Sequence, residues 1–375
     1  MGVHHGHILR ILRDEGPQSR ADLSRRSKLS ATTLTHVTAA LLRDGSILEG
    51  DTSLPNGVVG RPAQAVKLAP DARSVAGVHI GAGNVQVAIT DLLARPKATA
   101  AFAFDTEAAD PDEIVGQVSR TVTELAAEVQ VETSRLLGVG IGVPGPVDPA
   151  RRTALASINV GWRNVPLADK LEDALRLPTT VEHNVSAMAL AESHYGIGKN
   201  VPALLYIYLR TGLGAGLMVD GAPFRPGGHG AVELGHIQIV AEGKRCACGN
   251  VGCLETFVCE RALMDAAGLK GAAPDNLLAR VEQNTAAWDV VVRHLTTALA
   301  SAVNILSPDL IVFGGHLGDA PQSLFERLER DLPLRIMPHM RDILSIRRAT
   351  FGAQSGAIGG AAVALDQFFY SGALH

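Results

Sequence analysis

The stretch that decides the fold reads Glu233-Leu-Gly-His236, and then Cys246-Ala-Cys248-Gly-Asn-Val-Gly-Cys253-Leu-Glu255. All four cysteines of the chain lie between positions 246 and 259, a clustering that indicates a metal site and not a disulfide framework. One imidazole and three thiols make a tetrahedral zinc set, and a closed set of four protein ligands indicates structural zinc. The predicted ligands are His236, Cys246, Cys248 and Cys253.

The cysteine cluster leaves one thiol over and one alternative open. Cys259 lies outside the predicted ligand set and is expected to be a small buried hydrophobe. The alternative to a zinc site is a group of reduced, buried thiols without a metal. The choice of ligand types and the glycines at 249 and 252, which let the backbone wrap an ion, favour zinc.

The composition is that of a globular protein with room for two or three domains. The chain has 375 residues, 46% of them hydrophobic and 19% charged, and its net charge of -4 argues against general polyanion binding. Residues 1–70 nevertheless contain nine Lys and Arg against six Asp and Glu, so a basic head is expected on an acidic body. No signal peptide or membrane span is recognisable, and a cytoplasmic location is expected.

The head carries the pattern of three short helices and two strands. Apolar residues at helical spacing in 7–13 predict the first helix. Ser19 begins a capping box for the second helix, Ser30 is a good N-cap for the third, and Gly45 closes it. Two strands then flank a loop at 55–62, so the segment is predicted to be a winged helix-turn-helix.

A winged helix-turn-helix predicts double-stranded DNA as the partner. Its third helix enters the major groove, basic side chains meet phosphates, and a basic wing tip reads the minor groove. A small helical dimerisation domain with a solvated polar face is the alternative. The predicted DNA contacts are Arg20, Arg25, Ser30, Thr32, Thr33, Thr35, His36 and Arg61, with Arg26 and Lys28 as further candidates for phosphate contacts.

The body alternates strands and helices, which predicts a mixed α/β sheet in each of two lobes with a ligand cleft between them. The head is expected to span 1–70. The first lobe is expected at 71–185 and to be completed by a C-terminal helix at 356–370. The second lobe, with the zinc loop, is expected at 186–355. Within it, 212–216 is predicted to be a glycine turn that joins two strands.

Together these residues resemble the ROK family of repressors, open reading frames and kinases over nearly the whole chain. The E-x-G-H segment followed by C-x-C-G-x-x-G-C-x-E is intact, and G-R-P at 60–62 resembles the wing of the repressor branch. The resemblance implies an actin-like, ribonuclease H-like sugar-kinase body. It also implies a sugar or sugar-derivative effector held by Asn159, His183, Asn184, Glu233, His236 and Glu255.

Several positions depart from the kinase branch of that family. Where the branch has the Asp of its phosphate motif this chain has His79, and where it has the base that deprotonates the sugar this chain has Asn184. An amide has no useful basicity, and phosphoryl transfer needs metal and base together. His316 also replaces the third glycine of the adenosine-side motif. No catalytic residue is therefore predicted.

Three functions are left open by the sequence. The first is a transcription regulator, a repressor of carbohydrate genes, gated by a sugar and forming a homodimer or a dimer of dimers, since helix-turn-helix proteins read paired half-sites. The second is an ATP-dependent sugar kinase with a DNA-binding head. The third is a regulator controlled by a partner protein.

Overall fold

A computed structural model describes residues 2–50, 65–225, 227 and 232–371. The tip of the predicted wing, including Arg61, lies outside the described residues. No described helix combines the length and the apolar character that a membrane crossing needs.

The head has the predicted helix-turn-helix order. Ser19 Oγ accepts a hydrogen bond from the Asp22 amide at 3.1 Å, and Ser30 Oγ accepts one from the Thr33 amide at 3.1 Å, so both predicted caps are confirmed. The strands form one antiparallel sheet in the order β1-β3-β2. The elements are α1 (Val3–Glu15), β1 (Gln18–Ser19), α2 (Arg20–Ser27), α3 (Ala31–Arg43), β2 (Ile47–Glu49) and β3 (Ala65–Leu68).

The first lobe is built on a five-stranded sheet in the order β10-β7-β4-β5-β6, with β4 parallel to β7 and antiparallel to β5. A small hairpin, β8 with β9, lies outside this sheet. The elements are β4 (Ser74–Ile80), β5 (Asn84–Thr90), β6 (Pro96–Ala103), α4 (Pro111–Glu128), β7 (Leu136–Val143), β8 (Ala154–Ser157), β9 (Trp162–Val165), α5 (Leu167–Leu175) and β10 (Thr179–His183).

The second lobe is built on another five-stranded sheet, in the order β13-β12-β11-β14-β15. Its elements are α6 (Asn184–Tyr195), β11 (Ala203–Leu209), β12 (Leu213–Val219), β13 (Ala222–Pro223), α7 (Glu260–Ala266), α8 (Leu277–Glu282), α9 (Thr285–Leu306), β14 (Leu310–Gly315), α10 (Gln322–Asp331) and β15 (Ser345–Arg348). The last helix, α11 (Ser355–Leu365), continues as a π-helical turn, Asp366–Tyr370, and packs on β4 and β7 of the first lobe. The domain limits at 70 and 185 stay a prediction.

The glycine turn predicted at 212–216 is wrong for most of its length. Gly214 and Gly216 lie within β12, and the chain reverses around Thr211. These glycines are needed for close packing, because a Cβ on Gly216 would lie 2.7 Å from the carbonyl oxygen of Val185 in α6. The glycines at 214 and 216 therefore reflect the close packing of β12 on α6, and not a turn.

Close packing also fixes α11 against the first sheet. A Cβ on Gly140 of β7 would lie 2.1 Å from the Gly360 carbonyl oxygen and 2.7 Å from the Ala364 amide nitrogen. Both atoms are backbone, so the helix would have to move as a whole. The helix can lie this close to the sheet only because the strand has no side chain at this point.

Gly140→Ala is accordingly expected to lower the free energy of unfolding by about 2–3 kcal/mol, the usual cost of overpacking a core. Gly116→Ala is the matched control, because Gly116 lies in α4 and its Cβ would meet only the end of the Arg120 side chain, at 3.7 Å. There the change should stabilise by about 0.5–1 kcal/mol through helix propensity. Urea unfolding measures both, and equal effects of the two substitutions would contradict the packing argument.

Candidate functional site

A cavity of about 700 Å³ opens between the two lobes. It is lined by residues from both sheets, by the first turn of α6 and by the loop before α11. The structure brings all of the residues predicted to hold the effector to the wall of this one cavity: Asn159, His183, Asn184, Glu233, His236 and Glu255. That they bind a sugar stays a prediction.

His183 and Asn184 reach the cavity because β10 ends and α6 begins between them. The His183 ring lies with Nδ1 3.2 Å from Ser186 Oγ, and burial lowers the pKa of the imidazole. The Asn184 Oδ1 accepts a hydrogen bond from the Val185 amide at 2.9 Å. Both side chains are therefore held in place as uncharged hydrogen-bonding groups.

His79 lies beside Asn184, at the end of β4. Its Nε2 is 3.4 Å from the Asn184 Nδ2, and because an amide nitrogen only donates, the imidazole accepts here and carries its proton on Nδ1. Burial lowers the pKa of His79 to about 4. At neutral pH this pair offers neither a negative charge for a metal ion nor a free base for a hydroxyl proton.

The two carboxylates of the cavity are held differently. Glu255 Oε2 accepts a hydrogen bond from the Leu213 amide at 3.0 Å, which fixes the carboxylate beside the chain reversal at Thr211. Glu233 is exposed, and its Oε2 lies 4.0 Å from His236 Nε2. Carboxylate oxygens accept hydrogen bonds, so this wall suits the donors of a polyhydroxylated ligand.

The predicted metal ligands form a compact cluster. The four ligand atoms of His236, Cys246, Cys248 and Cys253 lie within 4.8 Å of one another. The His236 Nδ1 is 3.6 Å from Cys246 Sγ, and the sulfurs of Cys248 and Cys253 are 3.7 Å apart. Zinc bonds of about 2.0–2.3 Å place tetrahedral nitrogen and sulfur ligands roughly 3.5–3.8 Å apart. The cluster therefore fits a tetrahedral metal ion, and the residues are suited to hold one.

Cys259 is buried and lies outside this cluster, as the sequence predicts. His236 joins the cluster to the cavity, because its Nδ1 faces the sulfurs while its Nε2 faces Glu233. A metal held through Nδ1 would fix the tautomer of the ring and leave Nε2 as a donor toward the cavity. A metal ion held by these four ligands would organise the cavity wall, since all four tetrahedral positions would be filled by protein atoms.

Of the residues predicted to contact DNA, some are exposed on α3 and others form hydrogen bonds or ion pairs within the head. Thr32, Thr35 and His36 are exposed on one face of α3. Ser30 and Thr33 share the N-terminal cap, in which their hydroxyl oxygens lie 2.9 Å apart. Arg20 is held by Glu49 at 3.2 Å, and Arg25 is held by Asp22. The exposed face of α3 is thus the surface that could enter a groove, and Arg61 lies outside the described residues.

Some residues at these sites went unrecognised in the sequence. Arg43 is exposed two turns beyond His36, on the same face of α3, and helical spacing could have indicated it. Asn84, Gln86 and Arg210 line the second half of the cavity. Nothing local marked these three, because Asn84 and Gln86 lie in β5 while Arg210 follows β11, and only the fold brings the two segments together.

Two protein-family models match this chain. A sequence model of the ROK family matches residues 75–367, and one described as winged helix-turn-helix DNA-binding matches residues 4–47. The xylose repressor of Caldicellulosiruptor bescii is 24% identical over 341 residues, which cover 86% of this chain and 85% of the repressor.

Two solved structures are similar as well. One is described as a ROK family transcriptional regulator, a homolog of the E. coli MLC protein, with a TM-score of 0.84, 27% identity and coverage of 99% and 96% of the two chains. The other, a ROK glucokinase from Streptomyces griseus in complex with glucose and AMPPNP, has a TM-score of 0.64, 25% identity and coverage of 77% and 98%. Since the family model spans most of the sequence, the chain belongs to the ROK family.

Proposed function

We propose that the protein is a sequence-specific DNA-binding transcription regulator, a repressor of carbohydrate genes, that is gated by a sugar or sugar derivative. The observation that carries this proposal is the presence, in one chain, of a helix-turn-helix with an exposed polar face on α3 and a cleft lined by hydroxyl-binding side chains. A relative described as a xylose repressor, similar over most of its length, supports the same function.

In this proposal the head reads an operator through Thr32, Thr35 and His36, while Arg20, Arg25 and Arg61 meet the DNA backbone or minor groove. The protein acts in the cytoplasm as a homodimer or a dimer of dimers, because paired half-sites require paired heads. Zinc held by the Cys3His cluster is structural and holds Glu255 and His236 in the cleft wall.

The body binds its sugar without phosphorylating it. The uncharged pair of His79 and Asn184 supports this part of the proposal, since phosphoryl transfer needs a bound metal and a positioned base. The competing function is an active sugar kinase with a regulatory head. The similarity to a glucokinase solved in complex with glucose and AMPPNP favours this alternative. A transcription regulator controlled by a partner protein, and not by a sugar, is the third candidate function.

The test uses DNA that the purified protein selects from a random double-stranded library. Binding of this DNA is measured by fluorescence anisotropy with D-xylose, D-glucose, N-acetyl-D-glucosamine and their phosphates. We expect one sugar to change the operator Kd by about 5–150-fold, the usual range of coupling between two sites. Glu233→Gln should weaken that response, because Glu233 lines the cleft. The exposed Glu242, which is not among the cleft residues, gives the matched control Glu242→Gln.

The same protein preparation is assayed for ATP-dependent phosphorylation of the three free sugars. No turnover is expected in the wild type. Turnover would favour the kinase function. Absence of any sugar effect on DNA binding would contradict sugar gating, and the partner-protein function would then be tested by a pull-down from cells grown on different carbon sources.

A further inference from the structure

One charged side chain is buried where the head meets the body. Arg13, in α1, is only 7% exposed. Its guanidinium carbon lies 4.8 Å from the ring centre of Tyr370 and 5.5 Å from that of Tyr195. Asp14 of the same helix accepts two hydrogen bonds from it, at 2.7 and 3.0 Å. A buried cation is costly unless it is paired, and here its pairing partners come from both sides of the junction.

A hydrogen bond fixes how Arg13 contacts the body. Arg13 Nη1 is 3.1 Å from Nδ1 of His194. The other ring nitrogen, Nε2, is 2.8 Å from the carbonyl oxygen of Gly221. A carbonyl oxygen only accepts, so Nε2 carries the ring proton and Nδ1 is free to accept from the guanidinium. The neutral imidazole therefore holds the head through one directed hydrogen bond.

His194 lies at the far end of the helix that begins in the cleft. The helix α6 starts at Asn184, which lines the cavity, and ends at Tyr195 under Arg13. Its 12 residues span about 18 Å at 1.5 Å per residue. Because an α-helix is stiff over this length, a shift of its first turn displaces His194 and Tyr195 as well.

The last helix makes a second connection between the same two places. The first turn of α11 packs on the cleft residue His79, since a Cβ on Gly356 would lie 2.5 Å from that ring. Its π-helical continuation ends at Tyr370, whose carbonyl oxygen accepts hydrogen bonds from Arg10 at 2.8 and 3.1 Å. The helices α6 and α11 also touch closely, because a Cβ on Gly359 would lie 2.9 Å from the Ala187 backbone.

We propose that Arg13 is the positioning residue that transmits occupancy of the cleft to the DNA-reading head, through α6 and its His194. This inference rests on the proposed function, since it needs a sugar that changes operator affinity. Arg13 is not among the residues that line the cavity, and it is buried in α1, outside the exposed face of α3. Its guanidinium satisfies Asp14, His194 and two aromatic rings at once, which a planar fork can do and a lysine ammonium cannot. The head is therefore held in one orientation as long as His194 and Tyr195 keep their positions.

The test measures coupling, defined as the ratio of the operator Kd with and without sugar. In Arg13→Met and in His194→Phe, the ratio is expected to fall from the wild-type value to within about twofold of 1. Calorimetry on the DNA-free variants should give sugar affinities within about threefold of wild type. Arg13→Lys keeps the charge but not the fork, and is also expected to lose most of the coupling. The matched control is Arg327→Met, which removes an arginine of α10 that pairs with Asp289 in the second lobe.

The coupling ratio distinguishes a role of Arg13 in coupling the cleft to the head from a purely structural role. A purely structural role would lower the melting temperature or both operator affinities and leave their ratio unchanged. A wild-type ratio in a folded Arg13→Met or His194→Phe would overturn this inference alone. If no sugar changes operator affinity even in the wild type, both the proposed function and the inference are wrong.

Discussion

Replacing Cys253 with alanine is expected to release the metal ion and to cause the largest loss of stability of any single substitution considered. Cys253 is fully buried, and its Sγ lies 3.7 Å from Cys248 Sγ and 3.5 Å from the His236 carbonyl oxygen. Apparent binding free energies of structural zinc reach about 10–16 kcal/mol in small domains. The four candidate ligands lie between positions 236 and 253 of a much larger body, so we expect a smaller loss, about 5 kcal/mol.

The measurement combines the zinc content of the purified protein with chemical unfolding. One zinc per chain is expected in the wild type and much less than one in Cys253→Ala. Cys259→Ala is the matched control, because that thiol is buried outside the cluster. It should retain the ion and lose only about 1 kcal/mol, the cost of removing a small buried group. Equal zinc contents of the two variants would show that the cluster is not the metal site.

Loss of the metal ion should also weaken sugar binding in the cleft. Glu255 follows Cys253 by two positions and accepts the hydrogen bond of the Leu213 amide. Without the metal the loop no longer fixes this carboxylate or the Nε2 of His236. Sugar affinity should therefore fall in Cys253→Ala by a larger factor than in Cys259→Ala, and titration calorimetry can compare them at a temperature where both variants are folded.

Acidification is expected to destabilise the protein through two buried histidines. His79 and His194 are each less than 10% exposed, and burial lowers the pKa of both to about 4. For His194 the positive charge of Arg13 adds to the effect of burial. In the unfolded chain each imidazole returns to its ordinary pKa of about 6.5 and binds a proton that the folded protein excludes.

The sign and the pH range follow from those pKa values. Between pH 6.5 and 4 the unfolded state binds more protons, so stability falls as the pH falls. The stabilisation is fully present above pH 6.5 and is lost by about pH 4. A difference of about 2.5 pKa units corresponds to about 3 kcal/mol for each histidine.

A paired comparison isolates this contribution from that of the carboxyl groups. Urea unfolding at pH 7 and pH 5 gives the loss of stability on acidification for each protein. That loss should be smaller in the double variant His79→Gln, His194→Gln than in the wild type, by up to about 1.4 kcal/mol per pH unit for each histidine. The exposed His339 provides the matched control, His339→Gln, which should behave like the wild type. An unchanged pH dependence in the double variant would show that these imidazoles are not held neutral.

The structural features that the sequence predicted correctly depend on residues close together along the chain. The caps at Ser19 and Ser30 need only a hydroxyl and an amide three residues later, and both formed as predicted. The four candidate metal ligands all lie between positions 236 and 253, and this short separation along the chain favours their clustering. The residues that line the cleft were found through a resemblance that covers the whole body, and not through local pattern.

The sequence by itself determined the helix-turn-helix, the Cys3His cluster and the absence of a carboxylate at positions 79 and 184, since each depends on residue chemistry or on short-range geometry. Only the tertiary structure decided that Gly214 and Gly216 belong to a strand, because the helix that presses on them is distant in sequence. It alone placed Arg13 against His194, 181 positions away. Contacts of that range depend on how the head, α6 and α11 pack together, and no local periodicity encodes them.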